Sequence, residues 1–236
     1  MDSILHPTID PAVRDAYGAV NVAFLVLSNL TVTKTPPRLK KIARKAEAEL
    51  REAAADRWPG EGLSSWEELA GRMGLVQRSD LPAPRELAES IRAGRTIPKI
   101  NSVVDAANVT AICYETPVGA FDLDTLEPPI TLGLAGAGAS ITPILATSPV
   151  TCVEDEIVYA DKNRVFSRYS RDADFSKITD DTKHVLCVVD GTPEMPTSRL
   201  TEAAELLAGL LTDALEGQVS IDGPHLAKVR DDLKIS

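Results

Sequence analysis

The sequence is poor in the residues that covalent hydrolases use. It contains three histidines, His6, His184 and His225, and it has neither a GxSxG motif nor a paired Cys and His signature. A nucleophilic serine or cysteine needs a base beside it to become reactive. Nucleophilic catalysis is therefore not indicated, and any hydrolysis would have to use a positioned water molecule.

The sequence also lacks a pattern for a bound cofactor or metal. Gly136–Ser140 is rich in glycine but has neither the spacing nor the lysine of a P-loop. Cys113, Cys152 and Cys187 are far apart and lie in apolar surroundings, as core cysteines of a reducing compartment do. His225 is interpreted as a surface histidine and not as a ligand. We therefore predict no cofactor and no metal site.

Long apolar runs are absent as well. No segment approaches the run of about 18 uncharged apolar residues that a membrane helix needs. Residues 1–10 have an acidic start and lack the hydrophobic core of a signal sequence. The sequence therefore predicts a cytoplasmic protein that does not contact membranes.

Basic residues are in deficit, and the deficit is uneven along the chain. Residues 1–100 carry 15 Lys and Arg against 13 Asp and Glu, whereas residues 101–236 carry 10 against 22. Nonspecific binding along a phosphate backbone needs a basic surface. DNA binding and a general RNA-coating role are therefore not expected.

One basic segment differs from this acidic background. It begins a predicted amphipathic helix over residues 38–58 and contains no acid before Glu47. Such a run is often only the solvated face of a helix. The alternative is contact with RNA phosphates, and the predicted RNA-binding residues are then Arg38, Lys40, Lys41, Arg44 and Lys45.

The stretch from residue 97 to residue 126 carries the most informative pattern. It predicts an apolar helix over residues 101–114, a turn, and a short extended run that ends near residue 124. The side-chain oxygen of Asn101 is a predicted N-cap for this helix. Asp105 and Asn108 lie three residues apart, so they share a helical face and can act together.

Two motifs occur in this stretch, I-N-x-x-V-D-x-x-N on the helix and G-x-[FY]-D-L-D-x-L at the turn that follows. The matching residues are Ile100, Asn101, Val104, Asp105, Asn108, Gly119, Phe121, Asp122, Leu123, Asp124 and Leu126. This ordered set resembles the free-standing B3/B4 proteins and, less closely, the B3/B4 domain of the phenylalanyl-tRNA synthetase β subunit. The resemblance covers residues 97–190, and the flanking segments more loosely.

The resemblance implies aminoacyl-tRNA editing, in which a wrong amino acid is hydrolysed from its tRNA. Asn108 matches the synthetase pattern. Ala107 stands where that pattern has Thr, Gly119 where it has His, and Val188 where it has Glu. A hydrolytic water would then be held by Asn108, by the backbone amide of Gly119, and by the carboxylate of Asp105 or Asp122.

Other residues near strand and helix ends, most of them polar, are predicted to line the same pocket. Acids in turns often serve only as caps, so a purely structural role is the alternative. The predicted substrate-binding residues are Asn101, Phe121, Asp122, Asp124, Arg168, Arg171, Thr179 and Thr182, and Asp172 and Asp174 are neighbouring candidates.

The order of elements predicts an α+β fold. Helical patterns occupy residues 37–114, and short strands, including residues 141–145, occupy residues 118–190. The resemblance implies a B3/B4-like β-sandwich of short strands flanked by helices. Within one compact unit, residues 1–96 would pack on a B3/B4-like core of residues 97–190, and residues 191–236 would form a C-terminal helix and tail.

Two functions follow from these patterns. The first is a tRNA-binding protein that hydrolyses mischarged aminoacyl-tRNA in trans, and the basic segment favours it. The second is a non-catalytic module that binds a free amino acid or another small metabolite. The acidic composition of residues 101–236 favours it. An aminoacyl-tRNA ligase is not expected, because the chain has no ATP-binding segment. The sequence does not indicate an oligomeric state.

Overall fold

The computed structural model describes residues 5–53, 58–75, 77, 80–215 and 219–229. These residues form the helices α1 (Pro11–Tyr17), α2 (Pro37–Glu52), α3 (Glu61–Arg72), α4 (Ala83–Arg92), α5 (Ser102–Tyr114) and α6 (Thr197–Ala214). The strands are β1 (Thr8–Ile9), β2 (Asn21–Ser28), β3 (Val118–Asp122), β4 (Thr131–Leu134), β5 (Ser140–Ile141), β6 (Val150–Thr151), β7 (Ile157–Ala160), β8 (Val165–Arg168), β9 (Arg171–Asp172), β10 (Val185–Gly191), β11 (Ser220–Leu226) and β12 (Lys228–Val229).

A four-stranded antiparallel sheet, ordered β11-β2-β10-β3, forms the middle layer of the fold. Every residue of β10 is buried, which requires apolar neighbours on both faces. Because successive side chains of a strand point to opposite faces, Cys187 and Val189 pack into the core beneath the helices. Leu186 and Val188 pack into the core between the two sheets.

A second sheet, ordered β12-β1-β4-β7-β8-β9, covers one face of the middle sheet. Three buried aromatic rings join the two sheets. The ring centroids of Phe121 and Phe166 lie 4.9 Å apart at a steep angle, and those of Tyr159 and Phe166 lie 5.9 Å apart. Such close ring pairs add to the free energy gained by burying apolar surface.

The helices cover the other face of the middle sheet. Helix α6 was predicted to turn Leu200, Ala204, Leu207 and Leu211 inward, and all four side chains are fully buried. Helix α5 packs against α6, and α2 packs outside both. The periodicity of the apolar residues therefore predicted correctly which face of α6 meets the core.

Helix α5 begins as predicted. The side-chain oxygen of Asn101 accepts hydrogen bonds from the amides of Val103 at 3.1 Å and Val104 at 2.9 Å, so the N-cap is confirmed. The helix ends at Tyr114, and Glu115 adopts the left-handed conformation common at helix ends.

The predicted α+β class is confirmed, and two packed sheets with helices outside match the expected sandwich of short strands. The division of the chain near residues 96 and 190 stays a prediction. Within the described residues, no helix is both long enough and apolar enough to span a bilayer.

Three local predictions are wrong. Cys113, expected to be a core residue, lies on an exposed position of α5. Helix α2 ends at Glu52 and not at Trp58, because Ala53 already has an extended backbone with ψ of 127°. The predicted positions 54–57 of that helix lie outside the described residues. The strand predicted over residues 141–145 stops at Ile141, and Leu145 is 91% exposed with a positive φ of 66°.

Candidate functional site

A cavity of about 440 Å³ opens where α4 and α5 meet the ends of both sheets. Its lining includes Asn108 of α5, Gly119 and Phe121 of β3, Asp190 of β10, and Ser167 and Asp172 of the β8 and β9 hairpin. The sequence-predicted site residues that this cavity brings together are Asn108, Gly119, Phe121, Arg168, Arg171 and the neighbouring candidate Asp172. This volume lies within the range of small-molecule pockets.

Asn108 presents an amide side chain to the cavity. Its neighbours Val109 and Ile112 are buried in the helix-side core and fix the orientation of α5. Asn108 is itself only partly buried, and among the described residues its side chain makes no hydrogen bond within the chain. An amide offers both donors and an acceptor, so Asn108 is available to a ligand.

Asp190 is a buried acid in the cavity wall, only 2% exposed. Its Oδ1 accepts a 2.6 Å hydrogen bond from the hydroxyl of Tyr159. Burial raises the pKa of Asp190 to about 7, and the hydrogen bond from Tyr159 opposes that rise. The pKa of this carboxyl therefore lies near neutral pH.

Asp172 is the second acid of the cavity. Its Oδ1 accepts a 2.6 Å hydrogen bond from the hydroxyl of Ser167. Burial raises the pKa of Asp172 to about 6, and the hydrogen bond from Ser167 opposes the rise. The negative charge of Asp172 also raises the pKa of Asp190. Acids with perturbed pKa values cluster at functional sites, so this pair marks the cavity as the candidate site.

Gly119 lines the cavity, but its backbone amide belongs to the sheet. The amide of Asp190 donates to Pro117 at one end of the β3 and β10 pairing, and the amide of Leu123 donates to His184 at the other. Hydrogen-bonded pairs alternate along an antiparallel ladder, so Gly119 and its partner Val188 exchange both backbone hydrogen bonds. The predicted role of this amide in holding water has no support from this geometry.

The absence of a side chain at Gly119 has a steric cause. A Cβ at this position would lie 2.5 Å from Cζ of Phe121 and 3.0 Å from Cγ2 of Val188. The ring of Phe121 is 1% exposed, so it cannot move aside into solvent. The ring therefore fills the space that a side chain at position 119 would need.

The two predicted arginines of the cavity already have acidic partners. Nε of Arg168 lies 2.7 Å from Oε1 of Glu156, and both side chains are almost fully buried. Arg171 is half exposed and pairs with Glu86 at 3.4 Å on the rim. Burial raises the pKa of Glu156, and the charge of Arg168 opposes that rise. Arg168 therefore neutralises a buried carboxylate, whereas Arg171 is better placed to meet a ligand that enters.

Comparison with known proteins identifies the family. Residues 65–207, more than half of the chain, match the sequence model of the B3/4 domain. The chain belongs to the B3/4 domain family. The resemblance predicted from residues 97–190 is thereby confirmed.

This B3/4 domain has a curated relative in the phenylalanine–tRNA ligase β subunit of Carboxydothermus hydrogenoformans. The two are 32% identical over 176 residues, which cover 71% of this chain and 21% of the relative. The chain therefore spans about a fifth of the length of that subunit. It is also similar to the crystal structure of an N-terminal fragment of the phenylalanyl-tRNA synthetase β subunit from Pyrococcus horikoshii. That match has a TM-score of 0.47 and 14% identity, and covers 92% of this chain and 50% of that chain.

Asp105 of this B3/4 domain does not line the cavity, although it shares α5 with Asn108. Its Oδ1 accepts a hydrogen bond from the amide of Ile100 at 2.9 Å, and its Oδ2 accepts one from the hydroxyl of Thr35. Asp105 therefore ties the start of α5 to the segment before α2. Asn101, predicted to bind substrate, is likewise occupied as the N-cap. Neither the predicted catalytic role of Asp105 nor the predicted binding role of Asn101 gains support from this geometry.

Four other predicted residues form a separate network at the turn after β3. The hydroxyl of Thr182 donates to Oδ2 of Asp122 at 2.6 Å and accepts from the amide of Thr179 at 3.0 Å. Oδ1 of Asp124 lies 2.8 Å from Nδ1 of His184. None of the four lines the cavity. This geometry favours the structural alternative for them.

The predicted RNA-binding residues lie on α2. Arg38 pairs with Asp213 at 3.0 Å and Lys45 with Glu49 at 3.6 Å. The other three predicted residues make no ion pair with any described residue. They are Lys40, Lys41 and Arg44. Charges without a partner are the ones free to meet phosphate.

Part of this basic surface lies close to the cavity. Lys40, Arg44 and Lys99 border a small recess of about 40 Å³ on the other side of the loop before α5. Pro98 of that loop lines both the recess and the large cavity. The basic residues and the cavity are therefore separated by a single loop.

Sequence reasoning missed Asp190 and Tyr159 as site residues. Asp190 ends the apolar run of β10, and a single acid after a buried strand was the available signal. Its importance depends on the pairing of β10 with β3, on the cavity that it lines together with Asn108, and on Tyr159 of the second sheet. Neither relationship is visible in a local pattern.

Proposed function

We propose that this B3/4 domain binds the aminoacylated end of a tRNA in the cavity and hydrolyses the mischarged ester in trans, in the cytoplasm. The observation that carries this proposal is the meeting of an unpaired amide, Asn108, with two acids of raised pKa, Asp172 and Asp190, in one cavity. The curated relative is a phenylalanine–tRNA ligase β subunit, and its name supports this choice of ligand class.

The chemistry needs no protein nucleophile. A water molecule attacks the ester carbonyl carbon and loses a proton to the ionised form of Asp190. Asn108 donates a hydrogen bond to the carbonyl oxygen, which becomes negative in the tetrahedral intermediate. As the intermediate collapses, the bond from the carbonyl carbon to the ribose oxygen breaks, and the proton passes to that oxygen. The products are a free amino acid and a tRNA with a free ribose hydroxyl.

Asp172 has a different role in this proposal. With a pKa of about 6 it is mostly ionised at neutral pH, so its charge matches the α-ammonium group of an aminoacyl ester. The negative charge of Asp172 would repel a phosphate group placed beside it. The phosphates would instead meet Lys40, Arg44 and Lys99 beyond the loop at Pro98.

The second candidate function is a non-catalytic module for a free amino acid or another small metabolite. The amide of Gly119 is hydrogen-bonded within the sheet and so cannot stabilise an oxyanion. The loss of this catalytic group favours the second candidate. Two acids and an amide would suffice to bind an amino acid without hydrolysing an ester. In the first function, binding requires tRNA and weakens as the salt concentration rises. In the second function, binding needs no tRNA.

The test is release of labelled amino acid from a panel of correctly and incorrectly charged tRNAs. We expect release from at least one mischarged pair. We expect Asn108→Ala to lower the rate roughly 100-fold, as loss of an oxyanion donor does, and Asp190→Asn to lower it strongly. Asp124→Asn, outside the cavity, is the matched control and should retain the rate.

The outcomes separate the two candidates. An unchanged rate in Asn108→Ala would remove this residue from the mechanism. If no pair is hydrolysed but a free amino acid binds, and binding is lost in Asp172→Asn, the second candidate replaces the first. Circular dichroism of each variant checks that it is folded.

A further inference from the structure

The chain has a second convergence of polar side chains, at the edge of the middle sheet opposite β3. Strand β11 carries an irregularity there, because Asp222 lies opposite Val26 of β2 but His225 lies opposite Phe24. Three steps along β11 thus match two steps along β2, which is a β-bulge. Without the bulge, residues three apart would point to opposite faces. With it, both side chains follow Val26 and Phe24 onto the face that meets the second sheet.

Gly223 makes this bulge feasible. It has a positive φ of 120°, and a Cβ there would lie 2.8 Å from the backbone oxygen of Phe24. Only glycine fits such a conformation and approach without strain. The backbone at this position is therefore shaped so that Asp222 and His225 meet, with Nε2 of His225 at 2.7 Å from Oδ1 of Asp222.

A third side chain arrives from the other end of the chain. His6 precedes β1, and its Nε2 lies 3.5 Å from Oδ2 of Asp222. Its ring centroid is 5.5 Å from that of His225 and 4.9 Å from that of Phe24. Nε2 of His6 is buried and has no hydrogen-bond partner among the described residues. The distance of 3.5 Å to Oδ2 of Asp222 is too long for a good hydrogen bond, and a metal ion bound to both atoms would satisfy this nitrogen.

We propose that His6, Asp222 and His225 form a binding site for one divalent ion of the Zn²⁺ class. Two imidazole nitrogens and one carboxylate oxygen form a common donor set for zinc. The ligand atoms all lie within 4.8 Å of one another. A tetrahedral Zn²⁺ site with bonds of about 2.0–2.1 Å separates its ligands by about 3.3 Å. Small side-chain rotations therefore close the site.

The exposed fractions of the three side chains fit a metal site with three protein ligands. The three side chains are 32%, 37% and 43% exposed, which leaves a fourth position open to water. The other exposed His and Asp pair, His184 with Asp124, has no third ligand among the described residues.

An ion at this site would join the two ends of the described chain. His6 leads into β1, and β11 leads into β12, which pairs with β1 in parallel. Thr8 and Ile9 lie opposite Lys228 and Val229 in that short pairing. A two-residue pairing alone is weak, so the ion would hold the N-terminal segment against the edge of both sheets. The interpretation of His225 as an ordinary surface residue gives way here to a ligand role.

The experiment uses the full chain without an affinity tag, in a Cys113→Ser background that removes the exposed thiol. After treatment with a chelator, the protein is titrated with Zn²⁺ by calorimetry and with Co²⁺ by visible absorption. We expect one ion per chain. His6→Ala and His225→Ala should each weaken binding about tenfold or more, and His184→Ala, the matched control, should bind normally.

Hydrogen exchange supplies a second measurement that does not depend on a variant. The amides of His6, Thr8 and Ile9 should exchange more slowly when Zn²⁺ is added, because binding to the native state lowers the population of locally open molecules. The proposal is overturned if no saturable binding of one ion occurs. It is also overturned if binding survives in both histidine variants, or if His184→Ala loses as much affinity as they do.

Discussion

The hydroxyl of Tyr159 donates a 2.6 Å hydrogen bond to Oδ1 of Asp190, and this bond joins the two sheets at the cavity. Tyr159 lies on β7 of the second sheet, and Asp190 lies on β10 of the middle sheet. Both side chains are almost fully buried. The same carboxyl thus contributes to packing and offers the cavity a group that titrates near neutral pH.

We predict that the stability effect of Asp190→Asn depends on pH. The folded-state pKa of Asp190 is about 7 against a model-compound value of 3.8, so the folded state binds this proton more tightly than the unfolded state. That contribution is present below pH 4 and is lost as pH rises through about 7. Asparagine cannot ionise. Relative to the wild type, the variant should gain about 3 kcal/mol between about pH 4.5 and pH 8, at about 1.36 kcal/mol per unit of pKa.

Urea denaturation at several pH values measures this difference directly. The exposed Asp180→Asn serves as the control, and its effect should not change with pH in this way. A constant difference between Asp190→Asn and the wild type across the range would show that Asp190 does not titrate near neutral pH in the folded protein.

The sequence predicted those features that depend on local periodicity. The cap at Asn101, the extent of α5 and the inner face of α6 are confirmed because each is set by residues within a few turns of one another. The site was harder to predict because its geometry depends on distant contacts. Asp105 bonds to Thr35, 70 residues away, so it turns from the cavity that Asn108 faces.

We predict that Arg168→Met is strongly destabilising because of the charge that it leaves behind. Glu156 is 1% exposed and would lose its buried partner, and such a loss costs about 3–5 kcal/mol. The double variant Arg168→Met with Glu156→Leu should recover most of that loss, because it removes the buried carboxylate together with its partner. Asp80, the second acid near Arg168 at 3.6 Å, is 22% exposed and can be hydrated. A double-mutant cycle by urea denaturation measures the coupling. Additive losses would mean that the two residues do not act as a pair.

We predict that Gly119→Ala destabilises the fold by about 1–3 kcal/mol through overpacking. The new Cβ would lie 2.5 Å from Cζ of Phe121, a ring that Phe166 holds in place at 4.9 Å. Gly133→Ala is the matched control on β4, because its Cβ would meet no atom closer than 3.9 Å. Thermal denaturation compares the two variants. Equal losses would indicate that backbone effects, and not the ring, make glycine necessary at position 119.

We predict that Arg44→Ala weakens tRNA binding and lowers its dependence on salt. Arg44 is exposed, has no ion pair among the described residues, and borders the recess that shares Pro98 with the cavity. Each phosphate contact that is lost should reduce the slope of log affinity against log salt by about 1. Lys162→Ala, on the turn between β7 and β8, is the control and should leave the slope unchanged. If both variants bind as the wild type does, the basic face of α2 only meets solvent, and the free amino acid becomes the favoured ligand.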